Sequence, residues 1–258
     1  MACVLPDLTE TFSEKEKNMN IFEDYSYEII GGREAAIVRY LGSEDKAVIP
    51  ASVESLPVTT VQKQAFAVSE MIEIEVPEGV TRIDSEALAL CDNLELVSLP
   101  SSLTELGDGV FKGSEKLREI RFPNGSARFA VDDGVLYNVE EQALLFCPPA
   151  LEKEAYSVPM GTKTIASAAF YLNRTIQFVR LPLTLKKIES EAFLFTNAMQ
   201  IIELPPYLES IAPDSFLVGR GPFAEKRFVI YAFPNTVGYR YAEENRIPVS
   251  PLYAIVTD

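Results

Sequence analysis

The side chains that most often perform catalysis are scarce in this sequence. It contains no histidine, and therefore lacks the commonest general base and the commonest transition-metal ligand. It also contains no Gly-x-Ser-x-Gly motif, no phosphate-binding glycine loop and no cluster of metal-ligand residues. We therefore predict a non-catalytic protein that uses no cofactor.

The three cysteines, Cys3, Cys91 and Cys147, are widely spaced and odd in number, which predicts no disulfide framework. A reactive thiol needs a basic neighbour that lowers its pKa, and neither Cys91 nor Cys147 has one nearby in the sequence. We expect both to be packing residues and Cys3 to be exposed.

Two short segments have compositions found in ligand-binding loops. Asp132-Asp133-Gly134 could belong to a calcium loop, but calcium takes about six to eight oxygens and this acidic cluster is isolated. The same three residues lie between alternating apolar residues and predict a hairpin turn instead. Gly219-Arg220-Gly221 is too short for a nucleotide-binding fingerprint, and we predict an ordinary loop there.

The charge of the chain argues against some classes of partner. With 38 acidic against 23 basic residues, the net charge is -15 and there is no basic run, which disfavours nucleic acids and anionic membrane surfaces. No stretch approaches the ~20 consecutive apolar residues of a membrane helix, so no membrane insertion is predicted. The N-terminal residues do not resemble a secretory signal, so the chain on its face is cytoplasmic.

The sequence contains a repeat, marked by prolines at regular intervals, which must position the residues described above. A proline follows an alternating apolar strand seven times, and four of the six intervals between these prolines are 23 residues: Pro50, Pro77, Pro100, Pro123, Pro159, Pro182 and Pro205. The first interval is 27 residues and the middle one is 36, so each contains an insertion. Such a fixed period predicts a solenoid of stacked coils.

Other positions keep the same register within each unit. Ile83 and Ile165 follow their prolines by six residues, and a small residue with an aromatic one comes next, as in Ala169-Phe170 and Ala192-Phe193. We predict a strand, a proline turn, a second short extended piece and one helical turn that contains the phenylalanine. Ordering ~23 residues costs about 35 kcal/mol, which about six buried apolar side chains cannot offset, so the unit must stack on its neighbours.

The segment from Val76 to Pro100, Val-Pro-x-x-Val-x-x-Ile-x-x-x-Ala-Leu-x-x-Cys-x-x-Leu-x-x-Val-x-Leu-Pro, resembles the BspA-type leucine-rich repeat. The resemblance extends over roughly residues 25–249. It implies an α/β repeat fold, a right-handed leucine-rich-repeat solenoid with short parallel strands on one face. It also implies a bacterial protein of adhesion or host contact, located on the cell surface or secreted if a leader was removed.

We predict the following organisation from the ends and the insertion. Residues 1–24 form an N-terminal tail, 25–249 the solenoid and 250–258 a C-terminal tail. Within the solenoid, 25–49 form a β-rich hairpin cap with Gly31-Gly32 at its turn, and 124–157 an inserted β-excursion with a hairpin. Residues 229–249 form a C-terminal cap, with a helix at 235–245 whose N-cap is near Asn235 and whose Val237 and Tyr241 cover the last repeat.

The outward positions of the strands provide the candidate binding face, because side chains alternate between the two faces of a strand. Exposed large apolar groups beside arginines are typical of interaction sites, and this face contains Leu96, Arg121, Phe178, Arg180 and Ile201. The alternative is an ordinary solvated face whose charges keep the sheet in solution.

Three uses of this face follow. We expect a scaffold that binds an unknown protein partner. A module for a glycan or small ligand is the alternative, with Phe178, Tyr171 and Tyr231 as aromatic candidates. Association into homo-oligomers through the same face is a third use.

Overall fold

The computed structural model describes residues 20–216 and 228–252, and within them it contains 22 strands and a single α-helix. Cys3 and Gly219-Arg220-Gly221 lie outside these residues. The first half of the strands is, in chain order, β1 (Asn20–Phe22), β2 (Tyr25–Ile30), β3 (Glu34–Tyr40), β4 (Lys46–Val48), β5 (Ser52–Val53), β6 (Leu56–Val61), β7 (Glu73–Glu75), β8 (Arg82–Ile83), β9 (Leu96–Ser98), β10 (Glu105–Leu106) and β11 (Glu119–Arg121). The second half is β12 (Phe129–Asp132), β13 (Val135–Asn138), β14 (Ala143–Phe146), β15 (Ala155–Ser157), β16 (Thr164–Ile165), β17 (Phe178–Arg180), β18 (Lys187–Ile188), β19 (Ile201–Leu204), β20 (Ser210–Ile211), β21 (Val229–Ala232) and β22 (Val249–Pro251), with the helix α1 (Val237–Glu244) before β22.

One side of the solenoid is made of the strands that precede the proline turns. They form two parallel sheets, β4-β7-β9-β11 and β15-β17-β19-β21-β22. The register is constant, so equivalent residues of successive coils lie side by side, as in Phe178 beside Ile201 and Val179 beside Ile202. We call the outward surface of these two sheets the strand face.

A second side is made of the short extended pieces that follow the proline turns. The two-residue strands β8 and β10 continue the sheet of β3 and β6, while β16, β18 and β20 continue from β14, all in parallel. Their apolar residues, such as Ile83, Ile165 and Ile188, are buried. Each coil therefore places strand residues on two sides of one core.

The third side of each coil consists of turns, and the helical turn that the sequence predicted there is not formed. Two residues four apart adopt the left-handed conformation at this position of a coil, for example Glu86 (φ 59°) with Leu90 (φ 57°), which prevents a continuous helix. The backbone instead bonds to the next coil, as from Leu88 N–H to the Val110 carbonyl at 2.9 Å. Among the described residues α1 is the sole helix and lies outside the repeats, so the α/β description is replaced by a β-solenoid with little helix.

The phenylalanines of these turns stack on one another inside the solenoid. Phe193 lies between Phe170 and Phe216, with ring centroids 4.9 Å and 4.8 Å away and planes 11° and 6° apart. In the N-terminal half Phe66 stacks on Tyr40 at 5.3 Å. Because the ring of one coil covers the ring of the next, each phenylalanine is buried only when its neighbours are folded.

The long middle interval interrupts the solenoid. Strands β12, β13 and β14 pair antiparallel, with Asp133 (φ 52°) and Gly134 (φ 85°) at the turn between the first two. Neither β10 and β12 nor β11 and β15 pair in the described chain, so both sheets divide at the same coil. The core divides there too: Leu136 packs into the N-terminal cluster, whereas Val135 and Tyr137 pack into the C-terminal one.

Polar contacts join the two halves on the turn side. Lys112 forms an ion pair with Glu191, and Arg174 lies 2.9 Å from Glu115. Strand β13 packs into both core clusters, and within the C-terminal one the Tyr137 and Tyr156 hydroxyl groups share a hydrogen bond. The two half-solenoids are thus connected through the turns and the inserted strands rather than through the sheets.

The two ends of the solenoid differ in structure. At the N-terminal end β1, β2 and β3 pair antiparallel and continue into β6, and β4, which the predicted cap range includes, pairs with β7 on the strand face. At the C-terminal end α1 buries Tyr241 and Ala242, while Val237 is half-buried. Its N-cap is Thr236, the residue next to Asn235, because the Thr236 hydroxyl accepts from the Tyr239 N–H at 3.3 Å.

Candidate binding surface

The strand face is built from three-residue strands whose middle side chain enters the core. Ile74, Val97 and Ile120 are buried in the N-terminal half, as are Val179 and Ile202 in the C-terminal half. Alternation along a strand therefore turns the residues on either side of each middle position outward. Two rows of outward side chains cross each sheet.

The N-terminal half of the strand face is mainly charged. Lys46 lies 3.1 Å from Glu75, and Arg121 donates from Nε to the Ser98 hydroxyl at 2.8 Å and lies 4.0 Å from Glu119. Leu96 lies half-buried between Glu73 and Glu119 in the register. Exposed ion pairs of this kind contribute little to stability, about 0–1 kcal/mol each, and keep the surface hydrated.

The C-terminal half of the strand face is apolar along one row. Phe178 is 43% exposed and lies beside Ile201, which lies beside Val229. We call Phe178, Ile201 and Val229 the apolar row. The parallel second row consists of Arg180, Glu203 and Tyr231, and it places charge along one edge of the apolar row.

The structure brings together three of the five residues that the sequence predicted for the binding face. Phe178, Arg180 and Ile201 share one sheet, whereas Leu96 and Arg121 lie in the other. The sequence assigned all five to outward positions of the strands without showing which of these strands pair, and the division arises because the insertion prevents β11 and β15 from pairing.

One member of the C-terminal face, Val229, was missed in the sequence, and Tyr231 was named there only as an aromatic candidate for a glycan site. Val229 and Tyr231 lie 28 residues after Ile201 and Glu203, so the 23-residue period does not reach them. The alternating pattern Val-Ile-Tyr-Ala at 229–232 is the signal that could have found them.

The aromatic residues considered for a glycan site do not assemble. Tyr171 lies on the turn side, with the Lys112 ammonium 5.0 Å from its ring centroid and Phe195 packed edge-on at 5.7 Å. Phe178 and Tyr231 lie on the strand face in different rows. A flat platform of three rings is therefore not formed.

The acidic turn shows the geometry of a hairpin. Asp132 ends β12, and Asp133 forms an ion pair with Lys153. In the described part of the chain no group of three or more histidine, cysteine, aspartate or glutamate side chains is arranged to hold a metal ion.

Comparison with known proteins identifies the repeat. The family model described as BspA type leucine rich repeat region matches six copies, at residues 49–139 and 150–219, which is more than half of the chain. The chain belongs to the BspA-type leucine-rich-repeat family. A search of curated proteins finds no match.

Solved structures of bacterial leucine-rich-repeat proteins resemble this BspA-type chain. A leucine-rich-repeat protein from Eubacterium ventriosum ATCC 27560 has a TM-score of 0.56 at 14% identity, over 84% of this chain and 72% of its own. The pneumococcal vaccine antigen PcpA has a TM-score of 0.49 at 16% identity, over 92% and 99% of the two chains. A leucine rich cell surface protein from Faecalibacterium prausnitzii A2-165 has a TM-score of 0.45 at 15% identity, over 92% and 96%. The first similarity supports the fold.

The BspA-type repeat explains the position of Cys91. Its side chain is fully buried and donates to the Phe66 carbonyl at 3.1 Å, while its N–H donates to the Ser114 hydroxyl at 3.1 Å. Ser114 occupies the same position one coil later and donates to the Leu88 carbonyl at 2.8 Å. This column of small side chains satisfies backbone groups of the turns, as a packing role requires.

Burial also determines the chemistry of the two described thiols. It raises the pKa of Cys91 to about 11 and that of Cys147 to about 12. Both therefore remain protonated near neutral pH and are poor nucleophiles. Over the same described residues, no helix combines the length and the apolar character that crossing a membrane requires.

Proposed function

We propose that this chain is a non-catalytic scaffold that binds another protein through the C-terminal half of its strand face. The observation that supports this proposal is the apolar row, in which three large apolar side chains lie side by side next to Arg180 and Glu203. Interaction sites commonly combine an apolar centre with a polar rim. The proposal includes a right-handed solenoid. It also includes residues 25–49 and 229–249 as its two caps and residues 124–157 as the inserted β-excursion.

Phe178 of the apolar row is not needed to stabilise the fold in the way that the core residues are. Phe178 is 43% exposed, whereas the middle residue of its strand, Val179, is 3% exposed. Leaving such a side chain in water is unfavourable, and a partner that covered it would recover part of that free energy.

By family resemblance we extend the proposal to adhesion or host contact at a bacterial surface.

The first experiment separates a partner from self-association. Solution mass is measured by light scattering for the wild type and for Phe178→Glu, with circular dichroism to verify that both are folded. A wild-type dimer that becomes a monomer on substitution assigns the apolar row to a homo-oligomer and refutes an external partner at this site. Two monomers of equal stability leave the row free for another protein.

The second experiment compares partner capture by three immobilised proteins. Leu183→Glu is the matched control, because Leu183 is a large, 55% exposed apolar residue outside the strand face, at the turn after Pro182. The proposal expects a protein that the wild type and Leu183→Glu retain and that Phe178→Glu loses. Equal retention by all three would refute the apolar row as the binding surface. A glycan array with the same three proteins tests the alternative ligand class.

A further inference from the structure

The division of the solenoid leaves a cleft on the side formed by the short strands that follow the proline turns. The cleft lies between β10 and the coil that contains β14 and β16. Its volume is about 480 Å³, which is within the usual range of ligand sites, about 300–1,000 Å³. Leu106 of β10 lines one wall, and Ala143 and Thr164 line the other. The cleft is separate from the strand face and its apolar row.

The wall formed by β10 is an open strand edge. Glu105 donates its N–H to the Thr81 carbonyl at 3.0 Å, and Gly107 donates to the Ile83 carbonyl at 2.8 Å, so both residues bond towards β8. Alternation of a parallel strand then directs the N–H and carbonyl of Leu106 away from β8, on the side where the cleft lies. No strand of the described chain pairs with β10 on that side.

A second donor at the cleft lacks an acceptor. Arg128 lines the cleft and uses its terminal Nη2 to contact Glu140 at 3.1 Å, but its Nε is buried and has no hydrogen-bond partner among the described residues. An unsatisfied buried donor costs about 1–3 kcal/mol. Because the Nε atom is covered, a ligand carbonyl oxygen can accept from it only if the Arg128 side chain turns towards the cleft.

The charges of the cleft favour a cationic ligand. Five carboxylates and three cationic side chains line it, which leaves an excess of two negative charges. Glu105 and Glu141 are highly exposed there, with 63% and 60% of their side-chain surface accessible. The net charge of -15 over the whole chain attracts the same kind of ligand at longer range.

We propose that this cleft binds an extended, lysine- or arginine-containing peptide segment of another protein, which adds to β10 as a further strand. The peptide backbone pairs with the Leu106 N–H and carbonyl, as in recognition by strand addition, and a peptide carbonyl accepts from Arg128. The basic side chains of the peptide then lie near Glu105 and Glu141. This site and the strand face are independent, so the protein has two binding surfaces.

The test uses the full chain and a defined probe, the fluorescein-labelled peptide acetyl-Lys-Val-Lys-Val-Lys-Val-amide, with fluorescence anisotropy as the measurement. We expect this peptide to bind and the matched Glu-Val peptide not to bind. Two further peptides are N-methylated either on every lysine or on every valine, which blocks one backbone edge and keeps the charges. Addition to a single open edge predicts that one of these loses about tenfold or more in affinity while the other binds nearly as well as the parent.

Protein variants then locate the site. The double substitution Glu105→Lys and Glu141→Lys should weaken binding by about tenfold or more, because both carboxylates line the cleft. The control, Glu243→Lys with Glu244→Lys, changes the net charge equally on exposed residues of α1 and should leave the affinity almost unchanged. Phe178→Glu should also leave it almost unchanged.

Several results would overturn the proposal. Absence of binding by the lysine-containing peptide removes it outright. Equal weakening by the two double variants would show general electrostatic attraction, and equal binding of both N-methylated peptides would exclude strand addition. Loss of peptide binding in Phe178→Glu would place the peptide on the strand face instead, in agreement with the proposed function but not with this cleft.

Discussion

Two phenylalanines of the C-terminal half allow a sharp test of the packing. Phe193 is 2% exposed and lies between the rings of Phe170 and Phe216, whereas Phe178 is 43% exposed on the strand face. Substitution of each by alanine removes the same atoms from one half-solenoid. Only the surroundings of the side chain differ.

The expected losses of stability are well separated. Truncation of a buried phenylalanine to alanine costs about 3–5 kcal/mol, and we expect Phe193→Ala near the upper end because each of two lost ring contacts contributes about 0.5–1.5 kcal/mol. Full burial of such a side chain stabilises by about 1.5–3 kcal/mol, and Phe178 is only a little more than half buried. Phe178→Ala should therefore cost about 1 kcal/mol.

Urea unfolding followed by circular dichroism measures both values. With a denaturant slope of about 3 kcal/mol per molar, Phe193→Ala should lower the midpoint by more than 1 M and Phe178→Ala by about 0.3 M. Phe193→Leu is the matched control, because it keeps an apolar side chain but loses the stacking, and its midpoint should lie between that of the wild type and that of Phe193→Ala. If the wild type unfolds in two steps, Phe193→Ala should move only the step of the C-terminal core.

Equal shifts for Phe193→Ala and Phe178→Ala would refute this reasoning. That result would mean that Phe178 is a core residue in solution, and the apolar row would then be part of the fold rather than a binding surface. A Phe193→Ala protein as stable as the wild type would refute the aromatic stack.

Three further predictions concern thiols, a carboxylate and a close backbone approach. In Cys3→Ser protein, Cys91 and Cys147 should not react with a disulfide-exchange reagent at pH 8 until denaturant is added, because burial keeps both thiols protonated; rapid reaction of the native protein would contradict their burial. Hydrogen bonds from the Asn124 amide and from the Ser101 and Ser102 N–H groups lower the pKa of Glu78 to about 2, so the stability they provide is complete above the unfolded pKa of about 4.3 and is lost as the pH falls through about 2. The difference in urea midpoint between wild type and Glu78→Gln should accordingly shrink from pH 6 to pH 2, and a constant difference would contradict it. Gly107→Ala should destabilise by about 1–3 kcal/mol in thermal unfolding, since an added Cβ would lie 2.3 Å from the Ser85 backbone nitrogen, and an unchanged melting temperature would show that the coils separate easily there.

The solenoid could be predicted from the sequence because its stabilising contacts repeat. Prolines 23 residues apart and apolar residues at fixed offsets determine which side chains enter the core, and Val97, Ile165 and Phe193 are buried as their pattern requires. A local pattern suffices here because every coil packs mainly on its two neighbours. The absence of histidine is likewise a property of the sequence alone.

The conformation of the turns could not be predicted in the same way. Ala-Phe pairs flanked by Glu, Ser and Leu are compatible with a helical turn, and intrinsic preference favours one for several of these residues. The observed turns, with left-handed residues such as Glu86 and Leu90, gain backbone hydrogen bonds to the next coil. That gain exists only when another coil is present, so no property of a single unit reveals it.

The candidate surfaces were decided by the tertiary structure. The sequence assigned Leu96, Arg121, Phe178, Arg180 and Ile201 to outward positions, and alternation along a strand is enough for that. Whether outward residues of different coils lie together depends on strand pairing, and the insertion stops pairing between β11 and β15. The same interruption opens the cleft beside β10, since a strand edge is exposed only where the next strand fails to add.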